Sequence, residues 1–178
     1  MQLLRIQYSF ISINAFKILF FLSILKYIMN NIKKQDLQFG LSMEQKAQPR
    51  LELIFGKLYN NNNHNKYHPI DFKTNKCISD NQNKYGVEYK RRRINFGKHP
   101  TLMVNKSKII KGREYVTRAM KVFYIWECDD DWYYWELNED EFTMGTGGTS
   151  RRGRDEFVDV AHIKNEYIFK LNDLIILP

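Results

Sequence analysis

Three ionisable residues near the middle of the chain have the types and spacing of a divalent-metal site. Asp71 is followed seventeen residues later by Glu88, and Lys90 comes two positions after Glu88. The segment around Glu88 and Lys90 is typical of a strand, on which residues two apart point to the same face. The pattern would therefore place a carboxylate that can hold a metal beside an ammonium that can orient a water or a phosphate.

Such a set would suit the hydrolysis of a phosphodiester. That reaction needs stabilisation of the charge that builds on the phosphoryl oxygens and a water held in line with the leaving oxygen. Carboxylate oxygens hold magnesium, which lowers the pKa of water, and a nearby lysine can orient that water. Acid-x-Lys also begins at Glu44 and at Asp71, so the pattern alone leaves a salt-bridged strand surface as the alternative.

The elements that must position these residues begin with a predicted helix. Apolar residues at i, i+3, i+4 and i+7 predict a helix from Pro49 to about Tyr59. Ser42 followed by Gln45 has the signature of a capping box, which predicts a helix start at that point. Asn-rich residues 60–65 follow, and their composition predicts an exposed loop.

Strands are predicted downstream of this helix. Residues 100–104 are a short apolar run, and aromatic and β-branched segments bounded by polar residues predict strands over residues 67–74, 85–92, 121–127 and 132–137. The last two flank an acidic turn, which indicates a hairpin. Residues 145–154 are rich in glycine and predict a loop, but they lack the Gly-Lys-Ser/Thr ending of a nucleotide-binding P-loop. This order of elements predicts a mixed α/β or α+β domain.

The charge of the chain is unevenly distributed. The formal net charge is +8, which favours a polyanionic partner or an anionic membrane surface without choosing between them. From Lys84 to Lys121 there are twelve Lys and Arg against two Glu, whereas Glu127 to Glu141 contains eight acids and no base. We therefore expect one polarised surface with a basic face that can meet phosphate.

Cysteine and histidine provide no second metal site. The chain has 2 Cys and 4 His, and their spacing matches neither a disulfide framework nor a zinc-ligand pattern. A reducing compartment is therefore expected, and the sequence predicts a soluble intracellular protein.

An apolar segment at residues 16–29 leaves anchoring or secretion open. Lys17 and Lys26 interrupt it, and the uninterrupted run from Ile18 to Leu25 is shorter than the roughly 18–20 residues of a membrane span. Translation starting at Met29 is the interpretation we favour, and a membrane partner is not expected.

This interpretation divides the chain in two. Residues 1–28 would be an apolar leader outside the folded protein, and residues 29–178 would form a single domain with its core at about 42–170.

Several motifs occur in a fixed order along the core. They are Glu52 in the predicted helix, Ile70-Asp71-Phe72, Val87-Glu88-Tyr89-Lys90-Arg91-Arg92, His99-Pro-Thr-Leu-Met103 with Lys108, Trp132-Tyr-Tyr-Trp135, and Arg151-Arg-Gly-Arg154-Asp-Glu156. The series resembles the PD-(D/E)XK nuclease superfamily, which has the restriction-endonuclease-like fold, and in particular its small phage and large-virus members. Ile70 separates Pro69 from Asp71, which departs from the literal Pro-Asp pair of the superfamily motif.

The resemblance implies a fold and an activity. The fold would be a central mixed β-sheet flanked by helices, and the activity would be Mg²⁺-dependent (or Mn²⁺-dependent) hydrolysis of DNA, most simply as an endonuclease. Asp71, Glu88 and the carbonyl of Tyr89 would hold the metal, and Lys90 would orient the attacking water. Glu52 would be the helix glutamate that supports the metal.

The resemblance also implies contacts with nucleic acid from Arg92, Lys108, Arg151 and Arg154. A non-catalytic nucleic-acid-binding protein with the same fold is the alternative function. A membrane-tethered structural protein is a third, weaker hypothesis. The oligomeric state cannot be read from these features.

Overall fold

The computed structural model of the chain describes residues 2–63, 68–74, 84–149 and 156–174. The chain divides into two compact units, Met1–Ser42 and Met43–Pro178. Among the described residues, no helix is both long and apolar enough to cross a membrane. The predicted site residues all belong to the second unit.

Two α-helices and two β-sheets make up the described structure. In chain order the elements are α1 (Gln2–Phe55), β1 (Leu58–Asn60), β2 (Phe72–Thr74), β3 (Lys84–Arg91), β4 (Thr101–Asn105), α2 (Lys106–Val116), β5 (Met120–Glu127), β6 (Trp132–Glu136), β7 (Phe142–Thr149), β8 (Glu156–Lys164) and β9 (Phe169–Lys170). Short 3-10 helices cover Asn61–Asn63, Glu139–Glu141, Asn165–Tyr167 and Leu171–Asp173.

The larger sheet is mixed, as predicted. Its strand order is β1-β2-β3-β5-β6-β9. Strands β3 and β5 are parallel, and all other neighbouring strands of this sheet are antiparallel. Parallel strands need a crossover connection, and here the connection between β3 and β5 contains β4 and α2. A second, antiparallel sheet has the order β4-β8-β7. This α+β arrangement confirms the predicted fold class, which is consistent with a restriction-endonuclease-like fold.

The two faces of β3 belong to different cores. Because side chains alternate along a strand, odd-numbered residues of β3 pack with the end of α1, in a cluster that includes Leu51, Phe55, Tyr85, Val87 and Tyr89. The other face of the sheet packs with α2 and the second sheet, in a cluster that includes Ile109, Tyr124, Trp126, Ala161 and Ile163. Glu88 and Lys90 are even-numbered, and they therefore lie on the α2 side.

The predicted helix start at Ser42 is wrong. Helix α1 runs through Ser42, Gln45 and Pro49 and ends at Phe55, because the intervening Leu, Met, Glu, Gln, Lys and Ala residues are good helix formers. Gly56 follows with a φ of +74°, a left-handed conformation that glycine adopts at no steric cost and that commonly ends a helix.

Other boundaries differ in part from the sequence prediction. The hairpin of β5 and β6 is confirmed, with Glu127 opposite Trp132. The glycine-rich segment predicted as a loop is instead strand β7 as far as Thr149. A Cβ on Gly147 would lie 2.7 Å from both Met103 Sδ and Val160 Cγ2, so this strand packs too closely on its surroundings for a larger residue.

Candidate functional site

The register of β2 and β3 brings Asp71 and Glu88 together. Phe72 is paired with Val87, so one further step along the two antiparallel strands places Asp71 opposite Glu88. The main-chain N–H of Tyr89 donates to Asp71 Oδ2 over 2.9 Å. Both acids are buried, each with 4% of its surface exposed. Two residues that are remote in sequence thus form one buried pair of carboxylates.

A third carboxylate reaches this pair from helix α1, and it belongs to Glu44. The side-chain amide of Asn62 donates to Glu44 Oε2 over 2.8 Å and to Asp71 Oδ1 over 3.2 Å. A single NH₂ group therefore links the helix acid to the strand acid. The orientation of this amide follows from charge, because its oxygen would be repelled by two carboxylates.

The structure does not place Glu52 with these acids. Glu52 Oε1 accepts from Gln48 Nε2 at 2.9 Å and from the main-chain N–H of Leu58 at 3.1 Å, where it secures the turn after α1. Glu52 is eight residues beyond Glu44, which corresponds to roughly 12 Å along a helix axis. Helix α1 therefore brings Glu44, and not the predicted Glu52, beside Asp71.

The Asn-rich run is part of the site rather than only an exposed loop. Asn61 has 8% of its surface exposed, its side chain donates to the carbonyl of Ile70 at 2.8 Å, and its main-chain N–H donates to the carbonyl of Asp71 at 2.7 Å. Asn62 Oδ1 is buried and has no hydrogen-bond partner among the described residues. Composition alone hid this role, since amide-rich sequences are usually solvated.

Lys108, in the first turn of α2, is the cation that contacts Glu88. Its Nζ forms an ion pair with Glu88 Oε1, and its main-chain carbonyl accepts a 2.9 Å hydrogen bond from Tyr124 Oη. Glu88 Oε2 is buried without a partner in the described part of the chain. Lys108 therefore pairs with one oxygen of the Glu88 carboxylate, and the other oxygen can still accept a ligand.

Crowding of like charges in a buried site shifts the pKa values of its acids. Burial and then the charge of Asp71 raise the pKa of Glu88 well above its ordinary value, although Lys108 opposes the shift. Burial and Asp71 likewise raise the pKa of Glu44 to about 7. These acids would be deprotonated more readily if a cation were bound among them.

The pKa values of Lys90 and Lys108 shift in opposite directions. Loss of hydration and the neighbouring charges of Arg92 and Lys108 lower the pKa of Lys90 to about 8, although much of its side chain reaches solvent. Loss of hydration also lowers the pKa of Lys108, but Glu88 and Asp71 outweigh it and the net pKa is raised. Lys108 is thus the counter-ion of Glu88, whereas Lys90 forms no ion pair with a carboxylate in the described part of the chain.

The remaining predicted residues have separate positions. The ring of Tyr89 lies on the α1 side, with its centroid 5.5 Å from that of Trp132, so only its main chain can face the acids. Arg92 follows β3, donates from Nη2 to the carbonyl of Met103 at 3.1 Å, and has a buried Nε without an acceptor among the described residues. Arg151 and Arg154 lie outside the described residues.

A small cavity adjoins Glu88, and a larger groove lies next to that cavity. The small cavity, of about 30 Å³, is lined by Glu88, Lys90 and Lys108 among others, and this volume is enough for a water or an ion. The larger groove, of about 860 Å³, runs from Lys90 and Arg92 along the second sheet. Lys90, Met103 and Asn105 line both, so the groove and the small cavity are neighbours.

The donor set fits a magnesium ion. Within the described ranges no three His, Cys, Asp or Glu side chains gather closely enough to form a metal site by themselves. Magnesium, however, is usually held by one or two carboxylates and keeps several waters. The unpartnered Glu88 Oε2 and the raised pKa of the neighbouring acids are features that a bound divalent cation would satisfy.

Residues 54–169 match the model of a protein family described as "Phage putative PDDEXK endonuclease". This range covers more than half of the chain and includes Asp71, Glu88, Lys90 and Lys108, but it begins after Glu44. No curated protein and no solved structure gives a significant match.

Proposed function

Because the chain belongs to this family of phage PDDEXK endonucleases, we propose that it is a Mg²⁺- or Mn²⁺-dependent endonuclease that hydrolyses DNA. The observation that carries the proposal is the convergence of the buried acids Asp71 and Glu88 on a strand face that also bears Lys90. Hard anionic ligands that hold a divalent metal, together with a nearby ammonium, can stabilise the charge that develops in phosphodiester hydrolysis.

Asp71 and Glu88 would hold the metal, with the carbonyl of Tyr89 as a further ligand. When bound, the metal supplies positive charge to the phosphoryl oxygens and makes water more acidic. The N–H of Tyr89 fixes Asp71 Oδ2 at 2.9 Å, which leaves the orientation of that carboxylate little freedom. Glu44 takes the supporting role predicted for Glu52, since Asn62 ties it to Asp71.

Lys90 would orient the attacking water or a non-bridging phosphate oxygen. It lines both the small cavity beside Glu88 and the larger groove, so its ammonium lies where a substrate would meet the acids. With a pKa lowered to about 8, Lys90 is mainly protonated at neutral pH and can donate to an anionic oxygen.

Lys108 would act differently in the free and substrate-bound protein. Without a divalent cation it neutralises Glu88, and this contact offsets part of the cost of burying that carboxylate. Once another cation takes over the charge of Glu88, the ammonium of Lys108 becomes available to a phosphate. Its predicted contact with nucleic acid and its observed contact with Glu88 are therefore compatible.

Cleavage of plasmid DNA by the purified protein tests this function. We expect nicking or linearisation in Mg²⁺, none in EDTA, and a loss of about 100-fold or more in Lys90→Met, the range typical of a lost acid–base or positioning group. Lys121→Met is the matched control, because Lys121 is an exposed strand lysine that pairs with an exposed glutamate, Glu136, 3.4 Å away.

Two results would contradict the proposal. If Lys90→Met cleaves as fast as the wild type, the proposed catalytic site is wrong. If cleavage persists in EDTA, the proposed metal dependence is wrong. DNA binding that falls with salt but leads to no cleavage in Mg²⁺ or Mn²⁺ would support the non-catalytic alternative instead.

A further inference from the structure

The groove beside the acids has two chemically different parts. It measures about 860 Å³ and is bordered by the segment after β3, by β4 and by the second sheet. Because it shares Lys90, Met103 and Asn105 with the small cavity next to Glu88, one end of it opens at the candidate site. A substrate held at Glu88 would therefore extend into it.

The end of the groove at the site is cationic. Lys90 and Arg92 line it, and none of its described lining residues is a carboxylate. The guanidinium of Arg92 is fixed through Nη2 to the carbonyl of Met103, while its buried Nε–H has no acceptor among the described residues. A buried donor without an acceptor is costly, and a phosphate oxygen in the groove would satisfy it.

The rest of the groove has an apolar wall, although His99, Thr101 and His162 also line it. Its walls include Ile94, Leu102, Met103, Val158 and Val160. Val158 is notable because 46% of its surface is exposed on strand β8. The sugar-phosphate backbone of a duplex gains little from such walls, whereas the face of an unpaired base is apolar and packs against them.

From this arrangement we propose that the groove receives an unpaired nucleotide next to the scissile phosphate, its phosphate at Lys90 and Arg92 and its base against the wall that contains Val158. The inference rests on the proposed function, and it deepens that function by naming the substrate class. Nucleic acid with unpaired bases, such as a single strand, an overhang or a flap, is preferred over intact duplex, because a paired base must leave its stack before it can enter.

Equilibrium binding of labelled oligonucleotides to the full chain tests this proposal. Fluorescence anisotropy in EDTA compares a single-stranded DNA with the blunt duplex of the same sequence, without hydrolysis. We expect the single strand to bind about tenfold more tightly, a difference typical of one well-packed base. This comparison uses the wild-type protein and does not depend on the folding of any variant.

A pair of valine substitutions locates the effect. Val158→Asn removes apolar contact without changing charge, and we expect it to weaken single-strand binding about fivefold, with duplex binding unchanged. Val116→Asn is the matched control, since Val116 is 47% exposed at the end of α2 and does not line the groove. It should leave both affinities unchanged.

Equal or tighter binding of the duplex would overturn the proposal, and so would a loss in Val158→Asn that is the same for both DNAs. Binding of neither oligonucleotide would overturn it as well. Plasmid cleavage in Mg²⁺ reports separately on the proposed function, so cleavage without single-strand preference would reject the groove assignment alone.

Discussion

Burial gives the acids of the site their chemical character. Asp71 and Glu88 each have 4% of their surface exposed, and burial together with the charge of Asp71 raises the pKa of Glu88 well above its ordinary value. The protein compensates with Lys108 on one oxygen of Glu88 and with the amide of Asn62 between Glu44 and Asp71. The group of side chains is thus set to accept positive charge, which is what a cation site requires.

Glu44→Gln should change how stability depends on pH. The folded protein holds the proton of Glu44 up to a pKa of about 7, because of burial and Asp71, whereas the unfolded chain releases it near 4.5. The folded state therefore binds more protons between these values, and its stability falls as pH rises through that window. The amide introduced by Glu44→Gln does not ionise, so the variant should not show this loss of stability with rising pH.

Thermal melts in EDTA at pH 5 and pH 8 measure this effect. The melting temperature of Glu44→Gln minus that of the wild type should be a larger positive, or less negative, number at pH 8 than at pH 5. An equal difference at both pH values would show that Glu44 does not titrate as the structure indicates.

Asn62→Ala should weaken metal use rather than the chemical step. Asn62 contacts two carboxylates but neither lines the groove nor bears a charge, and loss of such supporting groups typically costs about 10–100-fold in metal affinity. Cleavage rates measured over a series of Mg²⁺ concentrations should show a higher half-saturating concentration and recovery at saturating Mg²⁺. A rate that stays low at saturation would assign Asn62 a different role.

At the scale of secondary-structure elements, the docking of α2 on the sheet decides which lysine meets Glu88. Gly112 allows the close approach, because a Cβ there would lie 2.6 Å from Tyr124 Oη and 3.0 Å from Leu137 Cδ2. The same tyrosine hydroxyl donates to the carbonyl of Lys108. The position of Lys108 therefore depends on packing one turn further along the helix.

Gly112→Ala should destabilise the protein by about 1–3 kcal/mol, the usual cost of overpacking a core, and should reduce cleavage by displacing Lys108. Gly40→Ala provides the control, since it also lies in a helix but would place its Cβ within 4 Å of nothing. Chemical denaturation of both variants, followed by circular dichroism, measures the difference. Equal stability of the two variants would contradict the packing described for α2.

Sequence patterns predicted part of this arrangement. The strand period placed Glu88 and Lys90 on one face, and the aromatic hairpin was recognised because its signals are local. Glu44 was missed because the capping signature at Ser42 predicted a helix start there, while α1 in fact continues through it. Which helix acid meets Asp71 depends on how α1 packs on the sheet, and no local pattern encodes that.

The role of the Asn-rich run was hidden for a similar reason. Its composition is that of a solvated loop, and only the pairing of β1 with β2 brings Asn61 and Asn62 against Asp71. The groove is likewise a product of tertiary structure, because β4 and β8 meet across more than fifty residues of sequence.

At the scale of the whole molecule, the described cores belong to the second unit. Both hydrophobic clusters draw on residues from Met43 onward. In the first unit, Phe20, Phe21 and Leu22 are each more than half exposed. Since the described members of both clusters lie in the second unit, we expect that unit to fold without residues 1–28.

Deletion of residues 1–28 should leave the melting temperature and the cleavage rate close to those of the full chain. Loss of exposed apolar surface should also reduce aggregation. Differential scanning calorimetry and light scattering on both forms measure these properties. A cooperative unfolding transition that disappears on deletion would show that residues 1–28 are part of the fold.

The central claim is that Asp71 and Glu88 jointly hold a divalent cation, and isothermal titration of Mn²⁺ into the purified protein tests it most directly. We expect one site in the wild type, a loss of at least about 100-fold in affinity in both Asp71→Asn and Glu88→Gln, and no change in Asp159→Asn, which alters an exposed acid paired with Lys106. Wild-type Mn²⁺ affinity in either Asp71→Asn or Glu88→Gln would contradict it.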